Sequence, residues 1–174
     1  MNILPDIKKI LYCMRIGPNS AYIYRYALAL AEKFDATITV MHAREALSKE
    51  KEALINGYIG PDSIHDIMEQ EEQDSAARIK EHLKSFCARI GKESNCGNRV
   101  EKILIVEGAS PAREIIKQAG DMEADIIIMG AHAESSILEK LMGSTTEKVI
   151  RRSSIPVLVV QVPVGEQEFT ASGI

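Results

Sequence analysis

The sequence predicts a doubly wound α/β domain: a five-stranded parallel sheet flanked by helices on both faces. Segments rich in β-branched residues alternate with segments of helical period, the order expected of repeated βα units. The segment DIIIM at 125–129 is apolar without alternation, as a strand covered by helices on both faces must be. A chain of 174 residues, 45% hydrophobic, is one ordinary domain with a substantial core.

The elements follow in order. The first strand is expected at 9–14 (KILYCM) and a helix at 19–34, with Asn19 or Ser20 as N-cap and Ile23, Ala27, Leu30, Ala31 and Phe34 on one face. A second strand, 36–43 (ATITVMHA), gives way to a polar stretch from Arg44 to about Ile79. Residues 44–81 carry ten acidic and five basic side chains, so the acidity of the chain is local. After the Gly60-Pro61 break a helix is expected at 63–90, where Ile79, Leu83, Phe86, Cys87 and Ile90 recur at helical spacing. The third strand, 100–106 (VEKILIV), leads to a helix capped by Ser110, with Pro111 in its first position, ending near Gly120. The fourth strand is DIIIM, expected inside the sheet. A glycine-bounded connection, 130–143, then enters a short helix whose Ser144 to Glu147 start fits a capping box, with Arg151 and Arg152 at its end. The last strand, 156–162 (PVLVVQV), closes a domain spanning 1–162, and 163–174 reads as a disordered tail.

Composition excludes several classes. With 21 Lys+Arg against 25 Asp+Glu, a net of −4, the chain lacks the basic balance of a nucleic-acid-backbone binder. Its apolar runs of four to eight residues fall short of the roughly twenty needed to cross a bilayer, so no membrane partner is expected. The start MNILPDIKK has no signal-peptide apolar stretch. Cys13, Cys87 and Cys96 are spaced for neither a zinc site nor a disulfide framework, so all three read as free thiols and the expected location is the cytoplasm.

Doubly wound sheets bind ligands beyond the strand C-termini where strand order reverses, which directs attention to the residues after Met14 and Met129. The loop after the fourth strand reads M-G-A-H-A-E, then S-S-I-L-E-K-L-M, then G-S-T-T-E. Unpaired N–H groups at a helix N-terminus attract anions; Gly143 lets a phosphate approach the backbone, and Ser144, Thr145 and Thr146 offer hydroxyls. The same residues also read as a bare turn and capping box, and spacing does not choose between the two. Neither G-x-x-x-x-G-K-[ST] nor G-x-G-x-x-G occurs, which disfavours a P-loop hydrolase and the usual dinucleotide site.

Gly130-Ala131-His132-Ala133, nine residues, then Gly143-Ser144 resembles the signature of the universal stress proteins. The resemblance extends through ILYCM, TVMHA, EGASPAREII, ADIIIMGAH and VIRRSSIPVLVV, nearly all of residues 8–162. It implies a Rossmann-like fold, a stress-response role, a cleft for ATP or another adenine nucleotide, with or without Mg, and a homodimer paired through the last strand from Val157 to Val162. An unidentified protein partner would read the cleft's state. Residue by residue, Met129, Gly130, His132, Gly143, Ser144 and Thr146 match the ATP-binding pattern, whereas Thr145 stands where Val is common and Ala133 replaces the second glycine. Cys13, Met14, Arg15 and Ala43 line what resembles the adenosine side, but Arg15 occupies the place of an acid. That guanidinium can grip phosphate, fill the adenosine space, or pair with a carboxylate of the acidic stretch, which resembles the family's variable cap over the cleft. The alternative is a non-binding member acting as a dimeric scaffold, with a weak ATPase a distant third.

The remaining candidates read as structural. His132 has no nucleophile or carboxylate placed by sequence to form a catalytic set. His42 reads as a packing residue, and His65 and His82 lack an i,i+4 ligand partner, so no metal site is expected. Cys13 reads as a buried inert thiol, and Met14, Met41, Met129 and Met142 as filler that can shape a pocket.

Overall fold

The computed structural model describes residues 4–17, 19–91, 96–131 and 142–163. Its elements are β1 (Lys9–Cys13), α1 (Ser20–Phe34), β2 (Thr37–Glu45), α2 (Lys49–Ile59), α3 (Pro61–Ile90), α4 (Cys96–Arg99), β3 (Val100–Gly108), α5 (Pro111–Asp121), β4 (Ile126–Gly130), α6 (Ser144–Arg152) and β5 (Val157–Val160). The strands form one all-parallel sheet in the order β3-β2-β1-β4-β5. The chain winds outward from β1 to β3, then crosses back to β4, so strand order reverses between β1 and β4. That reversal opens the crevice where such folds seat ligands.

The pleat divides the core. Ile10 and Tyr12 of β1 face the layer of α1, α3 and α4, while Leu11 faces α5 and α6. The start of β1 is fixed by Asp125, whose carboxylate accepts from the Lys8 and Lys9 N–H groups at 2.7 and 2.8 Å. An aromatic chain fills the first layer: Phe86 meets Tyr24 edge-on at 5.2 Å, and Tyr24 lies 5.6 Å from Tyr12.

Several expectations are corrected. The polar stretch contains a helix, α2, which caps on Ser48 and buries none of its residues. It joins α3 through Gly60 at φ 84°, a backbone state that favours glycine. Strand β2 runs two residues past Ala43 because the charge of Arg44 is met by Glu107 on the neighbouring strand at 2.8 Å and by Glu71 at 3.5 Å. The three cysteines are not all free: Cys87 and Cys96 form a disulfide, leaving Cys13 as the free thiol. The physical reason is a chain reversal: Gly91, at φ 84°, turns the backbone out of α3, and α4 returns Cys96 to the last turns of that helix. The tail expectation falls on 164–174, outside the described residues. No described helix is long and apolar enough to cross a membrane.

Candidate functional site

A cleft of about 470 Å³ lies over the C-terminal ends of β1, β2 and β4. It is lined by Cys13, Met14, Arg15, Ala43, Met129, Gly130, Gly143, Ser144, Thr145 and Thr146. Ten of the residues expected from sequence therefore share one concavity, although 86 positions separate Ala43 of its first half from Met129 of its second. His132 and Ala133 lie outside the described residues.

At one end the β1 terminus is held by β2. The Met14 N–H donates to the Met41 carbonyl at 2.8 Å, and His42 Nδ1 lies 2.9 Å from the Met14 oxygen. His42 is thus a packing residue, as expected, that also lines the cleft. Desolvation by burial pushes the Cys13 thiol well above the ordinary thiol range, so it is held protonated and inert. Arg15 is exposed and has no hydrogen bond or ion pair among the described residues, so it neither fills the cleft nor pairs with the acidic stretch. Arg44 takes the pairing role instead, and its 2.8 Å contact with Glu107 is an ion pair whose N–H is poorly aligned with the oxygen.

At the other end α6 begins. Gly143 is its N-cap, accepting from the Glu147 N–H at 3.0 Å, and its own N–H donates to the Ala131 carbonyl at 2.8 Å. The expected capping box is absent: Ser144 is already helical, so its hydroxyl cannot cap, and Glu147 pairs with Arg151 at 3.2 Å. The hydroxyls differ in role. Thr146 is buried and donates to the Gly130 carbonyl at 2.9 Å, tying α6 to the end of β4. Ser144 is exposed and Thr145 half-buried, and the amides of this first turn have no partner inside the helix. A Cβ at Gly130 would stand 2.6 Å from Cδ1 of Ile23 on α1, so the end of that side chain would have to move aside.

Sequence reasoning missed the contributions of α1 and of Arg44 and Glu45 at the end of β2, having already placed Met41 and Ala43 of that strand at the pocket. Asn19, the N-cap of α1, makes no side-chain capping bond, and its Oδ1 is buried without a partner while lining the cleft. Ser20 donates to the Gly17 carbonyl at 2.7 Å. Met41, Arg44 and Glu45 also line the cleft, and the rule that pointed to the ends of β1 and β4 would have found the end of β2 had its length been legible. The expected acidic cap supplies nothing beyond Arg44 and Glu45: no residue of α2 or α3 is in the lining, nor is Met142. Among the described residues no group of three or more His, Cys, Asp or Glu side chains is arranged to hold a metal ion.

Fold and site together define the class, a doubly wound α/β domain with its ligand crevice at the strand-order reversal and a helix N-terminus at one end. The chain belongs to the universal stress protein family, whose model matches residues 6–161. It is 30% identical to universal stress protein MJ0577 of Methanocaldococcus jannaschii over 155 residues, covering 88% of this chain and 94% of the relative. The solved structure of MJ0577 superposes with a TM-score of 0.66 at 26% identity over 91% of this chain and 99% of the other. A universal stress protein solved in complex with cAMP (18% identity, TM-score 0.51, 90% and 98% covered) shares the fold. So does one from Archaeoglobus fulgidus in complex with dAMP (19% identity, TM-score 0.51, 88% and 96% covered).

Proposed function

We propose that the protein is a binding module for an adenine nucleotide, with phosphate at the N-terminus of α6 and the nucleoside toward Cys13, Met14, Arg15 and Ala43. The carrying observation is that the first-turn amides of α6, which have no partner among the described residues, and the Ser144 hydroxyl share one cleft with the unpaired Asn19 oxygen. An orphaned buried acceptor is costly unless a donor meets it, and a ribose hydroxyl or adenine amine supplies one. The volume falls in the range of small-ligand sites. Relatives of the same fold solved with cAMP and dAMP support an adenine monophosphate as readily as ATP. With no activated nucleophile among the described cleft residues, the reading is binding and exchange of ligand rather than turnover.

The proposal extends to a cytoplasmic homodimer paired through β5, a sheet edge of four residues whose Val157, Leu158 and Val159 are only half-buried. Occupancy of the cleft would then be read by a protein partner. Native mass spectrometry of gently purified protein, followed by titration of stripped protein with AMP, ADP and ATP with and without magnesium, tests both points. The expected result is a dimer that retains or rebinds an adenine nucleotide and loses it on Ser144→Pro. A dimer that ignores all three nucleotides would leave the scaffold reading, and a monomer at micromolar concentration would refute the β5 pairing.

A further inference from the structure

We propose that the Cys87–Cys96 disulfide is a thiol–disulfide exchange site for a small anionic thiol of the glutathione class. The bond lies outside the nucleotide cleft, joining the end of α3 to the first residue of α4. Both cysteines line a second cavity of about 330 Å³, together with Lys80, Lys84, Leu83 and Ile103. In a compartment buffered by glutathione a disulfide is transient and exchanging rather than structural.

The geometry assigns the roles. Lys80, Lys84 and Cys87 stand at i, i+4 and i+7 on α3, so helical spacing places both ammonium groups along the stripe that holds the sulfur. Both lysines are exposed, and neither has a hydrogen bond or ion pair among the described residues. Two unneutralised cations at the rim raise the local concentration of an anionic thiolate, while Leu83, Val100 and Ile103 receive its apolar stem. The two sulfurs are not equivalent: Cys96 is 1% exposed and belongs to the core, whereas Cys87 is half-buried. Attack therefore falls on Cys87.

The step balances. The incoming thiolate RS⁻ bonds to Cys87 Sγ, the Cys87–Cys96 bond breaks, and its electron pair leaves on Cys96 Sγ, which takes a proton from water. The product is a mixed disulfide on Cys87 and a buried Cys96 thiol. A second thiolate can release Cys87 as a thiol and form RSSR, and RSSR returns the protein to its oxidised form by the reverse steps. Cys13, half-buried in the other cleft and with its thiol pushed up by desolvation, takes no part.

The test uses the full oxidised chain with glutathione and, as a probe whose thiolate carries no charge beyond the sulfur, 2-mercaptoethanol, quenched by alkylation and read by intact and peptide mass spectrometry. One glutathione adduct on Cys87 is expected. The rate ratio of glutathione to 2-mercaptoethanol should fall at least about threefold in Lys80→Gln/Lys84→Gln and, in the unaltered chain, at about 1 M salt. Because both lysines are exposed, circular dichroism of the double variant should match the parent; the salt arm gives the same reading without any substitution. Three free thiols in the protein as purified under air, an adduct on Cys96, or a ratio unmoved by the lysines and by salt would overturn the proposal.

Discussion

Replacing Gly130 by Ala tests whether the first glycine of the loop serves packing or ligand approach. The new Cβ would stand 2.6 Å from Ile23 Cδ1, about 1 Å inside a comfortable carbon–carbon contact. Ile23 is buried in the layer between α1 and the sheet, so it must leave its rotamer or α1 must shift. Overpacking of this kind costs about 1–3 kcal/mol. Gly130 is not among the positive-φ glycines, so the substitution also removes unfolded-state freedom, which offsets about 0.4–1 kcal/mol. The net loss is then about 1–2 kcal/mol, or a Tm lower by about 2–8 °C for a chain of this size. Ile23→Val removes the obstructing methyl and alone costs about 0.5–1.5 kcal/mol. With the obstruction gone, Gly130→Ala in the Ile23→Val background should stabilise by about 0.4–1 kcal/mol, a coupling of about 1–3 kcal/mol. Urea and thermal unfolding of the four proteins measure that coupling. Additivity within about 0.5 kcal/mol would refute the steric reasoning and leave close approach of a ligand as the reason for glycine.

Two further outcomes follow from the same contacts. Thr146→Val deletes the donor to the Gly130 carbonyl at a buried site, and should cost about 1–3 kcal/mol in urea unfolding. Ser144→Ala, at an exposed position, should stay within about 0.5 kcal/mol; equal losses at the two positions would contradict the assignment of Thr146 as the structural hydroxyl. Asp35 accepts a hydrogen bond from Arg99, which holds its carboxyl below the usual range, aided by the charges of Arg99 and Lys8. A depressed folded-state pKa contributes stability that is present above the unfolded value and lost as pH falls through the folded one. Asp35→Asn should therefore lower Tm at neutral pH and converge with the parent in acid, below the ordinary carboxylate range. A gap that persists unchanged in acid would show that the pair contributes nothing through its charge.

The legible parts of the fold were those in which burial writes a pattern on the sequence. DIIIM and ATITVMHA announce strands because both faces are covered, and Ile79, Leu83 and Phe86 announce the packed half of α3. Helix α2 was not legible for the converse reason: it buries none of its residues and carries Gly57 near its end, so no stripe marks it. The disulfide was hidden because it depends on the Gly91 turn that folds α4 back on α3, and nothing in a nine-residue spacing encodes that turn. The cleft was legible at the ends of β1 and β4, where the topological rule and the glycine loop agree. It was not legible at Asn19, which reads from sequence as an ordinary helix cap and only in three dimensions becomes a buried acceptor without a partner beside the cleft.

Charge makes the same distinction between what a chain carries and where it carries it. A net of −4 counts against an anionic ligand only if the acids stand at the site. Among the described acids only Glu45 does: α3 is 30 residues long, about 45 Å, and neither it nor α2 contributes a residue to the cleft. Arg44 is matched by Glu107 and Glu71, which leaves Arg15 as a cleft-lining cation without a partner among the described residues, with Glu45 the acid in the lining. At physiological salt, potentials between exposed charges decay over about 8 Å, so the anion feels Arg15 and the α6 terminus far more than the outlying acids of α3. Under the proposed nucleotide reading, a cation in place of the acid expected at position 15 would favour phosphate over a donor on the nucleoside.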